Sequence, residues 1–199
     1  MPTDHDLDAN IITRVNAGDM LTRAAWRRPT HEAVIDGARR FTYRALNDEV
    51  NRLSHALLAA GYRCGDVLAL ASGNSVEFLT TYFACAKTGV VCVPVNLAWG
   101  PPEVSYVLEH SRARGVVVES QLADLVTAAL LRLGSGTVTD VIVAPGTDAS
   151  WEPGPTGRWQ DLASFVGGAA TTSPSAGWAT ATRSATSTPA APHRPLREW

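Results

Sequence analysis

The sequence predicts an α/β fold in which helices flank a parallel sheet, and two observations support this prediction. Short apolar runs typical of strands alternate with segments whose apolar residues recur every three or four positions, as in amphipathic helices. The alternation continues from about residue 33 to residue 143. Strands and helices in strict alternation favour parallel strands joined by right-handed crossovers.

The first predicted elements are a β-hairpin and a helix. Strand-like residues 33–35 and 38–41 flank Asp36-Gly37, a pair favoured in type I′ turns, where both central residues need positive φ. Thr42 is a suitable N-cap for the helix, and Gly61 is placed to end it in the left-handed conformation. The predicted inner face repeats with helical spacing: Leu46, Val50, Leu53 and Leu57.

The next segment predicts two strands around a second helix. Residues 67–71 form a short apolar strand, Asn74 or Ser75 opens the helix, and Gly89 closes it. Residues 90–95 are nearly all apolar, which predicts a strand buried on both faces.

Two more helix–strand units follow. Pro101 and Pro102 are suited to the first turn of a helix, whose inner face is Val104, Val107 and Leu108. Residues 116–118 predict a strand, 121–133 a helix and 138–143 a further strand.

The chain therefore divides into three parts. Residues 15–145 carry the α/β pattern, and 146–172 are rich in proline and glycine, which predicts a loop or linker. Residues 173–199 contain Leu196 as their only large aliphatic residue. Such a segment buries too little apolar surface to offset its ordering entropy, so we expect it to be disordered.

Charge and cysteine content exclude several classes of function. The net charge is −2, and Arg27-Arg28 and Arg39-Arg40 are too short to predict a nucleic-acid site. No apolar run reaches the length of a membrane helix, and the acidic N-terminus does not resemble a secretory signal. The cysteines lack metal or redox spacing, which predicts free thiols in a reducing cytoplasm: Cys64, Cys85 and Cys92.

Several ordered blocks resemble one enzyme family. Residues 41–46, Phe-Thr-Tyr-Arg-Ala-Leu, are similar to the F-T-Y-x-x-L opening of the adenylate-forming superfamily. Asn51-Arg52-Leu53 and Gly65-Asp66-Val67 follow in the family's order, and residues 86–96 resemble its A-x-x-x-G-A-V-x-V-P-x-N block. The resemblance covers about residues 15–145 and favours the fatty-acyl-CoA synthetase branch.

This resemblance implies a fold and a reaction. The family has a large N-terminal domain of stacked α/β subdomains, so this chain would hold an N-terminal part of it with an incomplete sheet. In the family, a carboxylic acid attacks the α-phosphate of ATP to give an acyl-adenylate, and a thiol, usually coenzyme A, then takes the acyl group. The implied cofactors are ATP, Mg²⁺ and coenzyme A, and the implied substrate is a fatty or related acid.

The family's phosphate loop, roughly T-S-G-T-T-G-x-P-K-G, has no in-frame counterpart here. The nearest glycine-rich spots, Gly134-Ser135-Gly136 and Gly167-Gly168, are interpreted as turns because no lysine and threonine set follows them. The family's later motifs are also missing. We therefore assign no catalytic, cofactor-binding or metal-binding residue to this chain and expect it to bind no cofactor and to lack ligase activity.

Individual polar and aromatic residues are interpreted as structural. No histidine pair has metal-ligand spacing among His5, His31, His55, His110 and His193. Asp66 is expected at a turn or strand entry. Trp26 and Trp99 are candidates for packing against the sheet. The strand-end residues Asn74, Pro94 and Asn96 are interpreted as scaffold.

The composition of the tail suggests a change of reading frame near residues 173–177. In the shifted frame, each codon joins the third base of one residue's codon to the first two bases of the next. Residues 186–194 then permit Leu-Tyr-Thr-Ser-Gly-Thr-Thr-Pro, and residues 194–198 permit Pro-Pro-Lys-Gly. That string is close to the missing phosphate loop. The hypothesis is that the chain is a frameshifted N-terminal fragment of a ligase.

The alternative hypothesis is a non-catalytic α/β fragment that binds a partner or a small molecule through its sheet edge. An incomplete sheet exposes strand edges and apolar faces, which favours self-association.

Overall fold

A computed structural model of the protein describes residues 17–134, 136–146 and 150–174. The predicted disordered tail therefore lies outside the described residues from position 175 onward. The helices are α1 (Ala17–Arg27), α2 (Tyr43–Ala59), α3 (Val76–Thr88), α4 (Pro101–His110), α5 (Ala123–Leu133) and α6 (Leu162–Val166). The strands are β1 (Glu32–Asp36), β2 (Arg39–Thr42), β3 (Val67–Ala71), β4 (Val91–Pro94), β5 (Gly115–Glu119), β6 (Asp140–Ala144) and β7 (Arg158–Asp161).

The main sheet has five parallel strands in the order β4-β3-β5-β6-β7, and β1 and β2 form a separate antiparallel hairpin. Side chains of the central strands alternate between two cores. Leu68, Leu70 and Val117 face the core formed with α1, α2 and α3. Ala69 and Val116 face the core formed with α4 and α5. The predicted α/β class with a parallel sheet and flanking helices is confirmed.

The predicted helix caps are also present. The Thr42 hydroxyl accepts a hydrogen bond from the Ala45 amide at 3.2 Å, and Ser75, rather than Asn74, caps α3 by accepting from the Phe78 amide at 3.1 Å. Gly89 ends α3 with φ of 75°. Each cap satisfies backbone groups that have no partner within the helix, which fixes where the helix begins or ends.

The hairpin turn differs from the prediction in type. Its central residues are Gly37 and Ala38, between the paired residues Asp36 and Arg39. Gly37 has φ of 59°, whereas Ala38 is not among the residues of positive φ. Glycine at the first central position with a negative φ at the second fits a type II′ turn, so the predicted type I′ turn is wrong.

The apolar sequence of β4 predicted burial on both faces, and this prediction is wrong. β4 is an edge strand, and Val91 is 47% exposed. The cause is topological, because the chain leaves β4 and returns on the other side of β3 to form β5. An apolar run specifies burial only where both neighbours are present.

The segment 146–172, predicted as loop or linker, contains β7 and α6. β7 extends the parallel sheet beside β6. Its four residues, Arg-Trp-Gln-Asp, lack the apolar run that marks a buried strand, and flanking glycines and prolines masked the signal.

Helix α1 was not predicted, and Trp26 near its end is 83% exposed, so this residue does not pack against the sheet. Trp99 is 37% exposed and lies in the loop between β4 and α4.

Candidate functional site

A cleft opens where the strand order reverses. β4 pairs on one side of β3 and β5 on the other, so the carboxyl ends of β3 and β5 form a topological switch point. In open α/β sheets this is the usual place for a ligand. The cleft has a volume of about 450 Å³, and its walls come from the β1–β2 hairpin, the loop before α3, the end of β5 and the residues after β6.

The floor of the cleft is a buried carboxylate with both oxygens occupied. Ser72, directly after β3, donates from its hydroxyl to Oε1 of Glu119, the last residue of β5, at 2.8 Å. Gln121 donates from Nε2 to Oε2 of Glu119 at 2.6 Å. The Ser72 hydroxyl also lies 3.2 Å from that of Ser75, the cap of α3. The floor therefore ties the ends of two strands to the start of a helix.

The rim of the cleft is an ion-pair network centred on Arg39 of β2. Its Nη1 donates to Glu77 Oε1 at 2.6 Å and its Nη2 to Glu77 Oε2 at 3.0 Å, a bidentate arrangement. Arg39 also pairs with Asp36 across the hairpin turn. Asp36 accepts from the Val76 amide at 3.1 Å, and this hydrogen bond, together with Arg39, holds the pKa of Asp36 below its usual value. The network fastens the hairpin to the start of α3.

Close approach of the backbone shapes the far wall. A Cβ at Gly146 would lie 1.7 Å from Oε1 of Gln121, so a larger residue would displace the amide that holds Glu119. A larger residue at this position would therefore require the Gln121 side chain to move.

The cleft carries a net negative charge. It holds three carboxylates, Asp36, Glu77 and Glu119, against the single guanidinium of Arg39. A local excess of negative charge repels phosphates. Hydrogen bonds and ion pairs engage these carboxylates, and among the described residues no three potential ligands are grouped to hold a metal. The arrangement holds the hairpin and sheet together.

Two of the residues interpreted as scaffold lie in loops that follow strands. Asn74 is exposed on the cleft wall, and Asn96 accepts from the Ala98 amide at 3.0 Å in the loop after β4. Asp66 accepts from the Arg63 amide at 2.9 Å and from Arg114 at 2.9 Å, which places it at a strand entry, as expected.

Two histidines make contacts that are unrelated to metal binding. A ring nitrogen of His55 lies 2.8 Å from the carbonyl oxygen of Thr172, and His110 stacks on Tyr106 with ring centroids 5.4 Å apart.

Two cysteines 7 positions apart in sequence meet in the core. The thiol of Cys85 on α3 lies against that of Cys92 on β4, and this contact and burial raise the pKa of Cys85. Sequence reasoning missed this contact and the pairs Ser72–Glu119 and Arg39–Glu77, because only the folded topology brings these residues together.

Comparison with known proteins then decides the family. A sequence model of the AMP-binding enzyme family matches residues 21–191. The chain belongs to the AMP-binding enzyme family. Its match covers most of the chain and extends beyond the described residues.

Curated relatives in the AMP-binding family are acid ligases. A fatty acid–[acyl-carrier-protein] ligase of Streptomyces coeruleorubidus is 40% identical over 102 residues, or 51% of this chain and 20% of the relative. A long-chain-fatty-acid–CoA ligase of Mycobacterium tuberculosis is 36% identical over 132 residues, or 65% of this chain and 26% of the relative. The chain thus spans between a fifth and about a quarter of the length of these relatives.

Solved structures of the family share the fold. The Mycobacterium tuberculosis fatty acyl CoA synthetase superimposes with a TM-score of 0.66 at 31% identity, over 81% of this chain and 30% of that one. An anthranilate CoA ligase, solved with anthranoyl-AMP, gives a TM-score of 0.69 at 26% identity, over 79% of this chain and 29% of that one. These neighbours support the identification of the sheet as part of the N-terminal domain of an adenylate-forming enzyme. Among the residues that the structure describes, no helix is long and apolar enough to cross a bilayer.

Proposed function

We propose that this chain is the scaffold portion of an ATP-dependent acid–thiol ligase of the fatty-acyl-CoA synthetase type, and that the 199 residues alone do not catalyse the reaction. The observation that carries the proposal is a family match without an in-frame phosphate loop. Both half-reactions of such a ligase require the phosphate charge to be neutralised by backbone amides, cationic side chains and Mg²⁺.

The charge of the switch-point cleft supports this proposal. Its net negative charge opposes the binding of a triphosphate, and its single cation, Arg39, is engaged with Glu77 and Asp36. This end of the sheet therefore stabilises the neighbouring hairpin and helix and does not favour the binding of ATP.

The location of the only lysine supports it too. Lys87 lies near the end of α3, beside Gly89, whose carbonyl accepts from the Gly65 amide at 2.9 Å before β3 begins. Lys87 is thus at the amino end of the strands, opposite the cleft. It is 4% exposed and donates to Asn47 and Asn51, so it is not available to a phosphate.

ATP binding and ATP–pyrophosphate exchange test the proposal. The 199-residue chain should show neither exchange with fatty acids nor heat of ATP·Mg²⁺ binding by calorimetry. A version with the shifted frame restored should show both. Micromolar binding of ATP·Mg²⁺ by the short chain would contradict the proposal.

The alternative, an interaction fragment that self-associates through its sheet edges, has a separate test. β4 and β7 have four residues each, and Pro94 of β4 has no N–H to donate to a further strand, which limits edge pairing. A concentration-independent monomer in sedimentation equilibrium is the result that we expect. A dimer lost on substitution in β7 would favour the alternative.

A further inference from the structure

Two thiols of the chain meet between α3 and β4 and differ in their access to solvent. Cys85 lies in the last turns of α3 and is 1% exposed. Cys92 is the second residue of β4, is partly buried, and belongs to an edge strand of the sheet. A small reagent can therefore approach Cys92 from the edge, whereas the core encloses Cys85.

The strand register and the turn after α3 bring the two thiols together. Cys92 pairs with Leu68 of β3, and the side chains of both belong to the core that α3 covers. Helix α3 ends at Gly89, which has a φ of 75°, and only Gly89 and Val90 separate the helix from β4. Cys85 belongs to the same core. The contact is thus fixed by a helix, a short turn and a paired strand.

A disulfide fits this pair better than a metal ion does. A structural zinc site takes cysteine and histidine ligands from more than two residues. Among the described residues, no third histidine, cysteine or carboxylate is grouped with the two thiols to hold a metal. A disulfide, by contrast, needs only two cysteines whose sulfurs lie close together on elements of compatible geometry.

We propose that Cys85 and Cys92 form a reversible dithiol–disulfide couple whose oxidant is a low-molecular-weight disulfide such as glutathione disulfide. The Cys92 thiol loses its proton and attacks one sulfur of the reagent. A mixed disulfide forms, the bond between the reagent's sulfurs breaks, and the other sulfur leaves as a thiol. Cys85 then loses its proton, attacks Sγ of Cys92 and releases the second thiol. The protein loses two hydrogens, and the reagent gains them as two thiols.

The contact between the thiols favours this order of attack. The contact lowers the pKa of Cys92, and the same contact and burial raise the pKa of Cys85. The thiolate is the attacking species, so the partly exposed Cys92 reacts first. Once the mixed disulfide has formed, Cys85 lies against the sulfur that it attacks, and closure of the bond needs little movement of the chain.

The disulfide would join the end of α3 to the edge strand β4, which pairs with β3 on its other side. The folded chain holds the two sulfurs together, and the unfolded chain does not. Oxidation and folding are therefore linked. The equilibrium constant for the disulfide is larger in the folded chain by the same factor by which the disulfide favours the folded state.

Equilibration with glutathione tests the proposal on the 199-residue chain that carries Cys64→Ser. The chain is incubated with reduced and oxidised glutathione, quenched with acid, alkylated and analysed by mass spectrometry. The expected product is a monomer that has lost two hydrogens, with an equilibrium constant at least about tenfold larger in buffer than in urea. An equal constant in both conditions would overturn the proposal, as would a folded chain that stays reduced or carries only mixed disulfides.

Peptide mapping locates the bond. Lys87 lies between the two cysteines, and the flanking cleavage sites are Arg63 and Arg112. Trypsin under denaturing, non-reducing conditions should therefore release peptides 64–87 and 88–112 joined to one another, and reduction should separate them. Recovery of the two peptides as separate glutathione adducts would overturn the proposal.

Single substitutions assign the two roles. In the Cys64→Ser chain, Cys85→Ala should react with glutathione disulfide and stop at a mixed disulfide on Cys92. The matched variant, Cys92→Ala, leaves the buried thiol without its partner, and Cys85 should then react at least about tenfold more slowly. Equal rates in the two variants would overturn the order of attack and with it the proposal. Circular dichroism of each variant confirms that the fold is retained.

Discussion

The ammonium of Lys87 on α3 donates to Oδ1 of Asn51 on α2 at 2.7 Å. The same amide donates through Nδ2 to the carbonyl oxygen of Thr171 at 2.5 Å, and Lys87 also donates to Asn47 at 2.7 Å. Two helices and the segment after α6 are thus joined by one buried cation. A Cβ at Gly18 would lie 2.6 Å from Cγ of Lys87, so α1 also packs closely on this side chain.

Stability should rise with pH because of Lys87. Burial lowers the pKa of Lys87 from 10.5 to about 8, so between these values the unfolded chain binds more protons than the folded one. We expect the free energy of unfolding to increase by up to roughly 3 kcal/mol across this window. Urea denaturation at a series of pH values measures it.

The matched variant for that series is Lys87→Met, which should remove the increase. The comparison is necessary because Tyr62, whose pKa is raised by burial, acts in the opposite direction above its ordinary pKa of 10.0. A pH dependence that is the same in both proteins would show that Lys87 is not its source.

Arg39→Ala should destabilise the protein more than Arg40→Ala. Glu77, the partner of Arg39, has a side chain that is only 10% exposed, so removal of Arg39 leaves a buried carboxylate without its partner. We expect a loss of about 1–3 kcal/mol. Arg40 pairs with Glu32, and both side chains are more than half exposed, so its loss should cost less than about 0.5 kcal/mol.

Chemical denaturation gives both values, and hydrogen exchange of the β1–β2 amides shows where the effect lies. Faster exchange in the hairpin is expected only for Arg39→Ala. Equal effects of the two substitutions would contradict the role of the Arg39–Glu77 pair.

Gly115→Ala should be strongly destabilising. A Cβ at this position would lie 2.1 Å from the Tyr62 hydroxyl and 3.1 Å from the Asp140 carbonyl, inside a rigid sheet. We expect a loss of roughly 2–3 kcal/mol from overpacking. Gly168→Ala is the control, because a Cβ there meets nothing within 4 Å and its φ is not positive.

A double-mutant cycle identifies the cause. Tyr62→Phe removes the hydroxyl that the new methyl group would meet, together with its 3.2 Å hydrogen bond to Asp140. The combined variant should lose less stability than the sum of the two single losses. Strict additivity would mean that the clash lies elsewhere, such as at the Asp140 carbonyl.

The nucleotide sequence of the gene should show a shifted frame near residues 173–177. The expected finding is that the third bases from residue 186 onward spell Thr-Ser-Gly-Thr-Thr and then Lys-Gly in that frame. The family match runs to residue 191 and so includes part of this segment. The nucleotide sequence, rather than the protein alignment, therefore decides whether the frame is shifted. Third bases that are incompatible with this string would end the hypothesis.

The sequence by itself determined the class of fold and the family. Helical spacing at Leu46, Val50 and Leu53, the caps Thr42 and Ser75, and the glycine at Gly89 depend on neighbours within one or two turns, so they are readable from local order. The ordered blocks between residues 41 and 96 specified the adenylate-forming family for the same reason.

Only the tertiary structure decided which strands are edges and which polar groups meet. β4 has the apolar sequence of a central strand and yet lies at an edge, and β7 has a polar sequence and yet extends the sheet. Ser72–Glu119 and Lys87–Asn51 join residues that are distant in the chain. Contacts of this kind follow from strand order and helix packing, which local sequence patterns do not encode.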